Sequence, residues 1–121
     1  MSKNIELGNQ GESIAKDYLI NKGYQILETN WRFSRAEVDL IAMDGQILVF
    51  VEVKTRSTAF FGEPELAVNQ HKQNLLIDAG NAYMEQINHE WEVRFDIISI
   101  ILQGGKHSLE HFEDAFFSDW E

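Results

Sequence analysis

The chain of 121 residues has no cysteine and one proline, Pro64. Without thiols there is no disulfide framework, no thiolate-bound metal and no cysteine nucleophile. No apolar run approaches membrane-spanning length, since IISIIL at 97–102 is far too short. The opening MSKNIELGNQ contains no apolar signal core. A cytoplasmic protein with no membrane partner is therefore expected. Repeats, low-complexity tracts and linkers are also missing, which predicts one domain over residues 1–121. Basic side chains are scarce, ten against twenty acidic, for a net charge of −10. Taken alone, this balance argues against a nucleic-acid partner. The shortage is uneven. Residues 1–72 carry eight basic and ten acidic side chains, whereas residues 73–121 carry two and ten. In the first part Arg32, Arg35, Lys54, Arg56 and Lys72 could form a local positive surface.

Hydrophobic residues make up 44% of the chain, so disorder is not expected. Burial of roughly two-thirds of the unfolded surface suits a self-sufficient core. Leu7, Ile14, Ala15, Tyr18 and Leu19 recur on one helical face and predict a helix over about 6–22, stopped by Gly23. YQILETNW (24–31) reads as a strand. AEVDLIAM (36–43) and QILVFVEVK (46–54) flank Asp44-Gly45, a hairpin signal. A loop over 57–63 leads to Pro64, which fits the first position of a second helix ending near 86. WEVRFDIISIIL (91–102) reads as a central strand. Gly104-Gly105 is a turn, and 107–117 offers a short edge strand. The expected fold class is α/β, a mixed sheet flanked by helices in the order α-β-β-β-α-β.

VFVEVKTR (49–56) sets a puzzle, because Glu52 and Lys54 interrupt an otherwise apolar strand. A lone buried charge is costly, so such residues are paired, metal-bound or exposed. A two-residue Asp44-Gly45 turn would place Asp39 opposite Phe50 and Glu37 opposite Glu52. Side chains repeat every second residue, so Glu37, Asp39, Glu52 and Lys54 would share one face. Val38, Leu40, Val49, Val51 and Val53 would share the other. Opposed acids destabilise a sheet unless a cation intervenes. Asp39 and Glu52 offer hard oxygen donors to Mg²⁺ or Mn²⁺, with the Val53 carbonyl as a further ligand and waters completing the shell. Such a metal activates water and neutralises phosphoryl charge, while Lys54 orients that water or stabilises the transition state. The competing interpretation is an exposed strand face with ordinary ion pairs. The valine content of the strand argues against it.

Asp39, followed after twelve residues by Glu52-Val-Lys54, resembles the PD-(D/E)XK nuclease superfamily. The likeness extends to Gly11-Glu-x-x-Ala15, the stretch from Tyr18 to Trp31-Arg32, AEVDLI (36–41), VFVEVKTR, FGEP (61–64) with Lys72, RFD (94–96) and DAF (114–116). Together these resemble the YraN-like family of small bacterial proteins. The resemblance implies a restriction-endonuclease-like core, similar also to archaeal Holliday junction resolvases, and an acid on the first helix, which Glu12 matches. Spacing alone leaves Glu12 equally able to pair with Lys16 one turn on. Glu37 matches a further acid of the family, and Ala36 stands where the family more often has glycine. The catalytic set so implied is Glu12, Glu37, Asp39, Glu52 and Lys54, with Asp39, Glu52 and Val53 on the metal. A homodimer is a form that resolvase-like enzymes adopt, although no residue identifies an interface.

Smaller candidates are Arg32, Arg56 and Lys72 as phosphate contacts, with Arg35 and Thr55 beside them. Trp31, Phe60 and Phe61 could stack on bases, although such residues more often pack internally. His71, His89, His107 and His111 share no spacing with the acids. The leading expectation is a divalent-metal-dependent nuclease acting on DNA, with branched or structured DNA as the finer option. The alternatives are a non-catalytic nucleic-acid-binding module of the same fold, or a protein-interaction domain using the tail HFEDAFFSDWE.

Overall fold

The structure is a computed structural model and describes residues 3–57 and 69–115. Its elements are α1 (Lys3–Asn21), β1 (Gln25–Phe33), β2 (Ala36–Asp44), β3 (Ile47–Arg56), α2 (Gln70–Ile87), β4 (Val93–Gln103) and β5 (Lys106–Phe112). The five strands form one sheet in chain order. β1, β2 and β3 pair antiparallel, β3 and β4 parallel, β4 and β5 antiparallel. A parallel pair needs a crossover, and α2 lies within it. The mixed α/β fold is as expected, with the edge strand β5 completing the order α-β-β-β-α-β-β. Among the described residues no helix is long and apolar enough to cross a membrane.

Each helix covers one face of the sheet. Ala15 and Leu19 of α1 pack with Leu40, Val49, Val51, Ile98 and Ile100. Leu76, Ala79 and Tyr83 of α2 pack with Ile41, Leu48, Phe50, Phe95 and Ile97. The central strands are therefore buried on both sides, and their sequences read as continuous apolar runs for that reason. α1 ends in a Schellman motif. Gly23 takes a left-handed φ of 96°, its N–H donates to Ile20, and the Tyr24 N–H donates to Leu19. α2 starts at Gln70 rather than at Pro64, because Asn69 is the N-cap and its side chain accepts from the Lys72 N–H. Pro64, Phe60 and Phe61 lie outside the described residues.

The hairpin register differs from the one expected. Asp44 pairs with Ile47 and Ile41 with Phe50, so Gly45-Gln46 form the turn. Gly45 has a φ of 63°, and the turn takes glycine at its first central position, as a type II′ turn does. Each β3 partner therefore moves by two residues. The two-residue offset leaves strand faces unchanged where the ladder continues, but the ladder ends at Leu40 and Val51.

Beyond that point β2 changes face. Leu40 packs on the α1 side, whereas Val38 packs on the α2 side with Ala36. This corrects the expectation that Val38 accompanies Leu40. The neighbouring strand explains it. Thr29 pairs with Leu40 and Trp31 with Val38, which leaves Asn30 facing Asp39 between them. Asn30 has a left-handed φ of 51°. Asparagine tolerates that conformation, which breaks the regular alternation of side chains along the strand. The kink lies across both strands at Asn30 and Asp39.

Candidate functional site

Asp39 sits where β2 parts from β3, and its carboxylate turns into the gap. Its Oδ2 accepts the Val53 N–H at 2.8 Å. This is the donor a continuing ladder would have engaged, so the side chain replaces a backbone partner. Burial, the nearby Glu52 charge and, more weakly, Glu12 push the Asp39 carboxyl up to about 8, against the Val53 hydrogen bond and Lys72, which lower it. Without a further cation nearby, this carboxyl is therefore harder to ionise than an ordinary aspartate.

Glu52 lies on the α2 side of β3 and is only 6% exposed. Its Oε2 pairs with Lys72 Nζ from the first turn of α2, and Lys54 Nζ stands 3.7 Å from the same oxygen. Burial would lower the Lys72 pKa, but the hydrogen bond to Glu52 and the charges of Glu52 and Asp39 hold it above its usual value. Lys54 is partly exposed.

Glu12 approaches from the α1 side. Its Oε1 accepts from Asn30 Nδ2 at 2.9 Å, and no Glu12–Lys16 ion pair forms among the described residues. Burial, Glu37 and Glu52 raise its pKa against the Asn30 hydrogen bond. α1 can bring it this close because Gly11 presses directly on Thr55, where a Cβ would come within 1.7 Å of the hydroxyl oxygen. Glu37 does not join Glu52 on one face as expected. It alternates with Val38 onto the Glu12 side and pairs with the exposed Arg32 at 3.4 Å. Asp39 lies between the two, within the field of Glu52 on one side and of Glu12 on the other.

Among the described residues no three His, Asp or Glu side chains form a ready-made metal group. A two-carboxylate set nonetheless fits Mg²⁺ or Mn²⁺, which keep several waters and need only one or two carboxylates. Burial and the neighbouring Glu52 charge both disfavour the ionised Asp39, and a cation between the two acids would relieve that. Asp39 and Glu52 would be the donors, with Val53 tied between them through its N–H.

The remaining candidates spread around this end of the sheet. Arg56 lies at the end of β3. Arg32 lies one residue before the end of β1, near the turn that holds the exposed Arg35. Trp31 is edge-on to Tyr83 at 5.0 Å and stacked on Phe33, so it belongs to the α2 face. Asn30 was missed because a polar residue in a strand pattern gives no warning of a left-handed backbone.

A second polar cluster also escaped the sequence. Asp96 is fully buried on β4. Arg94 holds it through Nε at 2.8 Å and Nη2 at 2.9 Å, and the Asp114 N–H adds a bond at 3.0 Å. The His111 ring donates Nε2–H to Asp96 at 2.7 Å and accepts at Nδ1 from the Tyr18 hydroxyl at 3.1 Å. Burial alone would raise the Asp96 pKa, but the bonds from His111, Arg94 and Asp114 outweigh it and hold the carboxyl below its usual range. The RFD spacing and the remote His111 gave no hint of this contact. The cluster ties the segment after β5 to the sheet and to α1.

Residues 11–100, which include every acid of the site, match the uncharacterised protein family UPF0102. A UPF0102 protein of Flavobacterium psychrophilum is 46% identical over 117 residues, covering 97% of this chain and 98% of its own. One from Thermodesulfovibrio yellowstonii is 47% identical over 113 residues, covering 93% and 97%. One from Christiangramia forsetii is 47% identical over 117 residues, covering 97% and 98%. With matches of this extent and identity, the chain belongs to the UPF0102 family.

Proposed function

We propose that this protein is a divalent-metal-dependent nuclease of restriction-endonuclease-like architecture, hydrolysing phosphodiester bonds in DNA, with branched or structured DNA the first substrates to try. The observation that carries this reading is the meeting of Asp39, Glu52 and Lys54 at the point where β2 and β3 separate. Bound Mg²⁺ or Mn²⁺ would supply an activated water and neutralise phosphoryl charge. Asp39 and Glu52 would hold the ion, and with Asp39 Oδ2 taken by the Val53 N–H its other oxygen would serve as the donor. Lys54, partly exposed on the same strand, would meet the charge that builds on the phosphate. Glu12, aimed by Asn30, would orient or accept a proton from water on the α1 side. Arg32, Arg56 and Lys72 would contact backbone phosphates. A homodimer would serve a substrate with two strands to cut.

The test is cleavage of duplex, single-stranded, flap and four-way-junction DNA with Mg²⁺ or Mn²⁺. Asp39→Asn, Glu52→Gln and Lys54→Ala are each expected to abolish it. Failure of the wild type on the whole panel would remove this reading.

One observation favours a second reading, a non-catalytic nucleic-acid-binding module. Glu52 is already engaged by two lysines, and no three-ligand group stands ready among the described residues. DNA binding without turnover, indifferent to Asp39→Asn, would select it.

A further inference from the structure

Lys72 stands on a metal donor. Its ammonium pairs with Glu52 Oε2, and Lys54 converges on the same oxygen. Lys72 also lies within the field of Asp39, and Lys54 is close beside it. Two ammonium groups repel each other at such range, so their convergence needs a surplus of negative charge. Glu52, which both ammonium groups approach, carries that charge, and the acids Glu12 and Asp39 stand beside it. The backbone of Lys72 is fixed, since its N–H is the one that Asn69 caps. Its side chain is not, because four methylenes let the ammonium swing out without moving the helix. The side chain is 37% exposed, so a path to solvent exists.

We propose that Lys72 is an internal counter-cation, seated on Glu52 in the resting protein and displaced when a divalent metal ion binds. The proposal rests on the reading of Asp39 and Glu52 as metal donors and adds a control to that site. While seated, Lys72 weakens metal binding by competing for one donor. Once displaced, it presents a free ammonium beside the site, where a phosphate of the substrate can hold it. Metal and polyanion then favour each other's binding, and linkage makes the effect reciprocal.

The experiment uses Ca²⁺ alone, titrated by calorimetry into the full chain, so that no turnover is needed. Lys72→Met keeps the length of the side chain and removes the charge. It is expected to tighten Ca²⁺ binding by about tenfold. The double variant with Asp39→Asn is expected to lose that binding. In parallel, reductive methylation of the wild type is followed by peptide mass spectrometry. Ca²⁺ is expected to speed modification of Lys72 several-fold and to leave Lys16 unchanged. Unchanged or weaker Ca²⁺ binding in Lys72→Met, or no Ca²⁺-dependent change in Lys72 labelling, overturns the counter-cation while leaving the metal site standing. No Ca²⁺ binding by either protein overturns the metal reading and this proposal together. The labelling arm uses wild-type protein, so it decides even where the variant folds poorly.

Discussion

Asp39 accepts the Val53 N–H at 2.8 Å across the gap where the β2–β3 ladder has ended. One bond thus ties an acidic side chain to the strand that carries Glu52 and Lys54. Asparagine in place of Asp39 can accept the same N–H through its side-chain carbonyl, while alanine cannot. Asp39→Ala is therefore expected to cost about 1–3 kcal/mol, the penalty for an unsatisfied buried donor. Asp39→Asn is expected to fold at least as well as the wild type while losing divalent-ion binding. Urea unfolding and calorimetry on the two variants check both halves.

The raised Asp39 pKa makes this difference depend on pH. An unfolded aspartate titrates near 3.9, well below the folded value of about 8. Between these values the folded state holds a proton that the unfolded state has released. Stability is therefore fully present below about pH 4 and declines as pH rises through about 8. Asp39→Asn removes that slope. Thermal melts are expected to coincide most closely near pH 4 and to diverge in favour of the variant by pH 8. Divergence in the opposite sense would mean that Asp39 is ionised and stabilised in the fold.

Asn30 has two separable roles. Its left-handed backbone places the kink opposite Asp39, and its side chain holds Glu12 at 2.9 Å. Asn30→Gly keeps the backbone option and loses only the side-chain bond, so its stability is expected to change by less than about 1 kcal/mol. Asn30→Val introduces a β-branched residue at positive φ and is expected to cost about 1–3 kcal/mol. If valine and glycine prove equally tolerated, the kink is not set by Asn30.

Gly11 tests how closely α1 must approach the sheet. A Cβ there would meet Thr55 Oγ1 at 1.7 Å and Thr55 Cβ at 2.7 Å. Gly11→Ala is expected to cost about 1–3 kcal/mol by overpacking. Thr55→Ala should rescue only part of the loss, because its Cβ remains too close. Full rescue would show that the hydroxyl alone limits the approach.

The sequence carried the helices, the strands and the α/β class through periodicity, Gly23 and the apolar runs of β3 and β4. It also pointed to Asp39, Glu52 and Lys54, because charges in an apolar strand demand partners. The hairpin register went astray over a single choice, whether Asp44 or Gly45 opens the turn. Gly45 opens it because a positive φ is needed first. The face change at Val38 could not be read, since alternation assumes a strand without a kink and Asn30 breaks that assumption. The same assumption set Glu37 beside Glu52, when it belongs with Glu12 and Arg32. The sequence offers Lys72 as a phosphate contact on the second helix, but only the crossover geometry brings it onto Glu52. His111 and Asp96 are fifteen residues apart on paired strands, and no local pattern links them.

That pair gives the remaining prediction. Asp96 is buried without exposure and satisfied by Arg94, His111 and the Asp114 N–H. Removing it strands the Arg94 guanidinium, whose side chain is only 10% exposed. Breaking a buried ion pair on one side typically costs about 3–5 kcal/mol, and Asp96→Ala is expected in that range. Asp96→Asn keeps one acceptor and should cost less. The pH dependence runs opposite to that of Asp39. The Asp96 carboxyl is held below its usual range, so its contribution is present above about pH 4 and is lost as pH falls through the lowered value. Acid unfolding of Asp96→Asn should therefore be shallower than that of the wild type below pH 4. The loss should appear first as freer hydrogen exchange at Asp114 and Ala115, whose N–H groups dock on Asp96 and Phe95. Unchanged protection at those two amides would mean that Asp96 does not anchor the segment after β5.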